Sequence, residues 1–244
     1  MRRKNAWTTY NKKQLDELEK LCKNYLKFLD KGKTERECVK QIVKQAEEKG
    51  YVNLADITKD KKALKAGDKV YSVCMDKTVA LFQIGKKKLE KGMNILGAHI
   101  DSPRMDVKQN PLYESEEFAY LDTHYYGGIK KYQWVTLPLA LHGVVAKKDG
   151  TVITVNVGED KNDPVFCVTD LLIHLAGEQM EKKANKVIEG ENLDVLVGSK
   201  PLEGKEKDAV KEGILEILKE KYDMTEEDFM SAEIEVVPAG HARE

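Results

Sequence analysis

His99 and Asp101 carry residue types and a spacing from which chemistry can be built. Successive residues of an extended chain alternate faces, so a histidine, one spacer and an aspartate put both side chains on one side. A neutral imidazole is the commonest protein metal ligand, and a nearby carboxylate fixes its tautomer or shares its ion. The same pair also occurs as surface residues or as a satisfied hydrogen bond, and the pattern alone does not choose between these. Its setting adds weight. Asn94-Ile95-Leu96-Gly97-Ala98 leads into His99, and Ser102-Pro103 closes the stretch. Such a run predicts a strand over 93–101 that is buried on both faces. Gly97 and Ala98 leave room beside the backbone. In open α/β sheets chemistry gathers outside the carboxyl ends of the strands, where His99 and Asp101 would then stand.

The elements needed to position that pair are readable on either side of it. Leu15, Leu18, Leu21, Cys22, Tyr25, Leu26 and Leu29 recur at helical spacing and predict a helix over 11–30. Thr34-Glu35-Arg36-Glu37 is a capping box that opens a second helix, ending near Gly50. Residues 69–75 and 78–84 read as paired strands with Asp76-Lys77 as their turn. Residues 85–92 are a charged connection without the spacing of a phosphate loop. Asn110-Pro111 reads as a chain break, and the character of the sequence changes after Lys108. Asp122 to Trp134 is aromatic around Gly127-Gly128, which suggests a tight turn or a close backbone approach. Residues 137–157 predict a hairpin turning at Asp149-Gly150. Helices are expected over 170–186 and 205–222, and a strand over 232–238.

Charge is unevenly divided. Residues 1–90 hold 23 Lys/Arg against 13 Asp/Glu, whereas residues 91–244 hold 18 against 29. Such a split fits a nucleic-acid surface or lysine-rich solvated helix faces. The basic runs lack interleaved aromatic residues, which favours the second reading, with no nucleic-acid partner. No stretch approaches the 18 or so apolar residues of a membrane span, and no membrane partner is expected. Cys22, Cys38, Cys74 and Cys167 are far apart and form no CxxC, and no secretory segment opens the chain, so they read as reduced thiols of a cytoplasmic protein. His124, His142, His174 and His241 lack ligand spacing, with His174 a helix-face residue, and Asp106 and the Glu114–Glu117 run read either as neighbours of the site or, the favoured reading, as surface residues.

Four blocks in consistent order carry a family resemblance. They are Gly97-Ala98-His99-Ile100-Asp101-Ser102-Pro103-Arg104, Asn110-Pro111-Leu112-Tyr113, Thr123-His124-Tyr125-Tyr126-Gly127-Gly128 with Trp134, and Glu233-Ile234-Glu235-Val236-Val237-Pro238-Ala239-Gly240. Together they resemble the M18 metallopeptidases, the aspartyl-aminopeptidase and aminopeptidase I family, in a bacterial form. The resemblance implies an α/β fold: part of an α/β/α zinc-exopeptidase catalytic domain interrupted by a β-rich α+β dimerisation domain. The catalytic domain would take residues 1–108 and resume at 235–244, and the dimerisation insert would take 109–234. The implied activity is zinc-dependent release of N-terminal amino acids from peptides, with self-association to dimers and larger assemblies.

By the same resemblance His99 binds zinc and Asp101 supports the metal site. The Gly-Gly loop reaches a partner subunit's site, where Lys131 and Tyr132 stand near the position of a loop histidine in some members. Two zinc ions per complete site are expected, and only one ligand, His99, falls within this chain. The remaining ligands lie in the family beyond the Pro-Ala-Gly block, so the chain is expected to be truncated and inactive alone. The alternative is a non-catalytic dimerising scaffold derived from the family.

Overall fold

The structure is a computed structural model and describes residues 3–243. The chain divides into two compact units, one of residues 1–101 with 241–244 and one of residues 102–240. The first unit opens with helix α1, Lys12–Lys31, whose N-cap Asn11 forms a reciprocal box with Gln14. Helix α2, Glu35–Glu47, starts from Thr34, which accepts from the Glu37 amide while the Glu37 carboxylate accepts back. Both boxes satisfy amides that a helix start otherwise leaves open. Strand β1, Val52–Asn53, leads directly into helix α3, Leu54–Lys59.

Strands β2, Lys69–Cys74, and β3, Thr78–Gln83, pair antiparallel, and β1 joins β2 in parallel. Their turn spans 75–77, with Met75 and Asp76 left-handed, one residue earlier than the sequence suggested. Helix α2 turns Cys38, Val39 and Ala46 inward, and β2 contributes buried Val70 and Tyr71. The Tyr71 hydroxyl donates to Glu47 at 2.7 Å, which ties β2 to the end of α2.

The strand expected over 93–101 does not form. That segment is irregular, and Leu96 is fully exposed. Among the described strands none pairs with it, and the first unit's sheet is β1-β2-β3 only. An apolar run becomes a strand only where neighbours take its backbone groups and layers cover its faces. Neither is provided to this run.

The second unit is built on one antiparallel six-stranded sheet. Strands β4 (Arg104–Ser115), β5 (Phe118–Tyr126), β6 (Leu139–Ala146) and β7 (Val152–Val157) come first in the chain. The short helix α4 (Gly177–Met180), strand β8 (Val195–Gly198), helix α5 (Ala209–Tyr222) and strand β9 (Ala232–Pro238) follow. The spatial order is β7-β6-β9-β4-β5-β8. Met105, Leu139, Val195 and Val236 are fully buried on one side. Each such side chain contributes roughly 1.5–3 kcal/mol by leaving water. Helix α5 adds Val210, the connection after it adds Met224, and the turn 226–231 adds Phe229 to this core. The helix lies so close to β8 that a Cβ on Gly198 would meet the Ile214 side chain at 2.7 Å.

Several expectations in this unit need correction. Asn110-Pro111 does not break the chain. It sits within β4, where the register with β5 slips between Val107 and Leu112. A bulge tolerates proline because no ladder amide is required there. The helix expected over 170–186 shrinks to Gly177–Met180. Leu171, Leu172, Ile173 and Leu175 are exposed, so no burial stabilises a helical stripe, and Gly177 adds its own helix penalty. The helix expected from Lys205 starts at Ala209, because Asp208 is left-handed with φ 49°. The hairpin 139–157 forms as expected, with the Gly150 amide donating to the Lys147 carbonyl at 2.9 Å.

Candidate functional site

His99 and Asp101 do come together. The His99 imidazole Nδ1 lies 2.9 Å from the Asp101 carbonyl oxygen and 3.3 Å from its carboxylate Oδ1. With the proton on Nδ1, the ring donates to Asp101 and its Nε2 lone pair faces away. That arrangement presents Nε2 as a ligand while the aspartate holds the tautomer. The His99 side chain is 83% exposed, so the nitrogen is open to a cation. The pair sits on irregular backbone between Gly92 and Pro103 rather than at a strand end.

Among the described residues no group of three or more His, Cys, Asp or Glu could hold a metal ion. A catalytic zinc takes three protein ligands and an open position. His99 and Asp101 therefore fit one ligand and its support, not a whole zinc site.

Lys131 and Tyr132 belong to the second unit, in a single turn over 131–133. The Lys131 ammonium lies 5.7 Å from the Tyr125 ring centroid, and Tyr132 is exposed. The preceding Gly127 is left-handed at φ 77° and passes Pro103 at ordinary contact distance, so the loop does turn tightly here.

Sequence reasoning missed an ionic row across the six-stranded sheet. Register aligns His142 with Glu235 and Glu235 with Asp106, and Asp106 with His124. Glu235 and His142 are each 2% exposed and Arg104 is buried beside them. Arg104 Nε lies 2.7 Å from Asp106 Oδ1 and 3.2 Å from Glu235 Oε2, and its guanidinium stacks 4.2 Å over the Tyr126 ring. His142 Nε2 meets Glu159 at 3.0 Å, and the other Glu159 oxygen accepts the Gly240 amide at 3.1 Å. Buried charges are retained when they are paired and hydrogen-bonded in this way. The available signal was Arg104 two residues before Asp106, on one face of one strand.

Electrostatic perturbation is clearest near β8. The Tyr113 hydroxyl donates to Asp194 at 2.6 Å. Burial pushes both groups up, Asp194 from the ordinary carboxylate range and Tyr113 beyond its usual phenol value. Lys108 lies 2.8 Å from Asp122 and 3.5 Å from Glu191, and the bond to Asp122 raises its pKa.

No helix among the described residues is long and apolar enough to cross a membrane. Residues 28–244 match the model of the aminopeptidase I zinc metalloprotease family, M18. A probable M18 family aminopeptidase 1 from Clostridium acetobutylicum is 60% identical over 242 residues, covering 99% of this chain and 52% of the relative. Its counterpart from Thermotoga maritima is 47% identical over 244 residues, covering 100% of this chain and 52% of the relative. The crystal structure of aminopeptidase I from C. acetobutylicum superposes with a TM-score of 0.88 at 59% identity, covering 100% of this chain and 54% of that one. The M18 aminopeptidase structure from T. maritima gives 0.90 at 47% identity, over 98% and 51%. The chain thus spans about half the length of the relatives it matches. By the family model and these identities, the chain belongs to the M18 metallopeptidase family.

Proposed function

We propose that this chain contributes to a zinc-dependent aminopeptidase site that removes N-terminal residues from peptides. His99 supplies one zinc ligand, and Asp101 holds its imidazole. The observation that carries the reading is the Nδ1 contact to Asp101, which leaves Nε2 directed outward. The family description, a zinc metalloprotease, and the relatives' names support the same chemistry. The remaining donors are assigned to polypeptide outside the described residues, since a zinc centre needs more than this pair provides.

In this reading the first unit is catalytic and the second mediates self-association. Lys131 and Tyr132 sit on the loop that reaches a partner subunit. Four widely separated free cysteines fit a reducing cytoplasm.

The test mixes the purified chain with a polypeptide carrying the unmatched half of the C. acetobutylicum relative. Bound zinc and release of free N-terminal amino acids are then measured. Both should appear on mixing and both should fall with His99→Ala. Undiminished zinc and turnover in the His99→Ala mixture would overturn the assignment. A mixture that binds zinc without turnover would favour the non-catalytic scaffold.

A further inference from the structure

Four lysines of the first unit stand together without a carboxylate to balance them. Lys27 and Lys31 lie one turn apart on α1, Lys44 lies in the last turn of α2, and Lys49 follows just beyond it. They line one cavity of about 380 Å³ between the two helices, where Glu48 is the single acid and Asn24 and Gln45 add amide donors. Among the described residues none of the four ammonium groups has a carboxylate partner, whereas Lys59 and Lys62 of the same unit pair with Asp56 and Asp60. The acids that neighbour these lysines in the chain are engaged elsewhere. Asp30 accepts the Ala242 amide at 2.6 Å, and Glu47 accepts the Tyr71 hydroxyl at 2.7 Å.

Helix ends explain only part of this. Lys31 and Lys44 occupy last turns, where the helix dipole favours a cation. Lys27 stands one turn further in, and a like charge four residues from Lys31 weakens the helix that carries both. A multiply charged anion between the helices would remove that repulsion and supply the missing counter-charge, and a cleft lined by one sign concentrates such ions. The cleft also continues into an apolar cavity of about 420 Å³, and the two share Asn24, Phe28, Gln45 and Lys49. They therefore form one groove, of a size usual for a small-molecule site. Its apolar half is walled by Tyr25, Ile42, Tyr51 and Leu81, and Tyr25 is 59% exposed. Such rings stack on flat heteroaromatic bases. Rings at one end and ammonium groups at the other match a ligand divided in the same way.

We propose that this groove binds a nucleoside polyphosphate. The base lies against Tyr25 and Phe28, and the phosphates lie among Lys27, Lys31, Lys44 and Lys49. Lysine meets phosphate as a compact point charge with three donors. The groove belongs wholly to the first unit and uses neither His99 nor Asp101. It does not rest on the peptidase reading, and its readout is nucleotide affinity rather than metal or turnover.

The experiment is isothermal titration calorimetry of the whole chain in metal-free buffer, with ATP, inorganic triphosphate and adenosine as probes. ATP should saturate one site per chain. Triphosphate should bind at least about fivefold more weakly, because it lacks the stacking ring, and adenosine more weakly than either. Lys27→Gln with Lys44→Gln should weaken ATP and triphosphate at least about tenfold. Lys86→Gln with Lys87→Gln removes the same charge outside the groove and should leave both unchanged. Tyr25→Ala should weaken ATP about fivefold and leave triphosphate as it was. All five positions are exposed, and circular dichroism checks that each variant folds. Should the first pair fail to fold, Lys31→Gln with Lys49→Gln replaces it. ATP that does not bind saturably overturns the proposal. Equal losses in the groove variant and the Lys86/Lys87 variant overturn it too, since they would mark general attraction to a basic unit. Triphosphate that matches ATP and ignores Tyr25→Ala overturns the nucleoside assignment. Oligo-dA affinity that climbs with length past that of ATP would replace the mononucleotide by a nucleic-acid strand and overturn it as well.

Discussion

Removing the carboxylate of Glu114 should destabilise the second unit by far more than its place in an acidic surface run suggests. Glu114 Oε2 accepts the Val210 amide at 2.8 Å and the Lys211 amide at 2.9 Å, at the first turn of α5. The helix has no cap of its own, since Asp208 is left-handed and makes no side-chain cap bond. Strand β4 therefore supplies a charged cap from 96 residues away. A charge-assisted hydrogen bond contributes about 1.5–3 kcal/mol net. Both bonds share one oxygen, and water can reach the half-buried amides once the carboxylate is gone, so Glu114→Ala should cost about 2 kcal/mol. Glu114→Gln keeps an acceptor and loses the charge, and should cost about 1 kcal/mol. Urea unfolding reads these losses directly. In a chain of this size they correspond to roughly 4–8 °C in Tm for the alanine variant. Amide exchange at Val210 and Lys211 should accelerate with it. Glu220→Ala, near the exposed far end of α5, is the control. A Glu114→Ala loss below about 0.5 kcal/mol, the range of ordinary surface substitutions, would refute the capping argument.

Further substitutions test other parts of the account. Gly143→Ala places a Cβ 2.0 Å from the Glu233 carbonyl oxygen, which is backbone and cannot step aside. It should cost more than about 3 kcal/mol, and normal urea unfolding would contradict the β6–β9 packing. Thr34→Ala removes the cap of α2 and should lower stability by about 1 kcal/mol, read by thermal melting. Asp194 is more protonated in the folded than in the unfolded chain, because burial raises its folded pKa. Its contribution is therefore fullest below the unfolded carboxylate pKa and is lost as pH rises through the folded one. Asp194→Asn should flatten that fall and gain on the wild type at neutral pH in urea titrations. A wild-type chain whose margin over Asp194→Asn grows with pH would reverse the sign.

What could be read in advance follows from which forces are local. The capping box at Thr34, the hairpin at Asp149-Gly150 and the amphipathic stripe of α1 act over a few residues, and they formed where expected. Segments 93–101 and 170–186 were misjudged because an apolar run states only that burial is favourable. It does not say that a covering layer is present. Glu114 was misjudged for the opposite reason. Its charge suggested solvent, whereas the amides of Val210 and Lys211, far along the chain, hold its carboxylate at the start of α5. At the candidate site the His-x-Asp spacing was legible and the pair does meet, but on irregular backbone rather than at a strand end.

The central claim, that His99 offers Nε2 to zinc under the hold of Asp101, is tested most directly by NMR of the histidine imidazoles during zinc titration. The His99 ring signals should move first, with metal on Nε2 and the proton kept on Nδ1. Asp101→Ala should weaken that response, and His99→Ala should abolish it. Zinc that leaves the His99 ring untouched while binding elsewhere on the chain would contradict it.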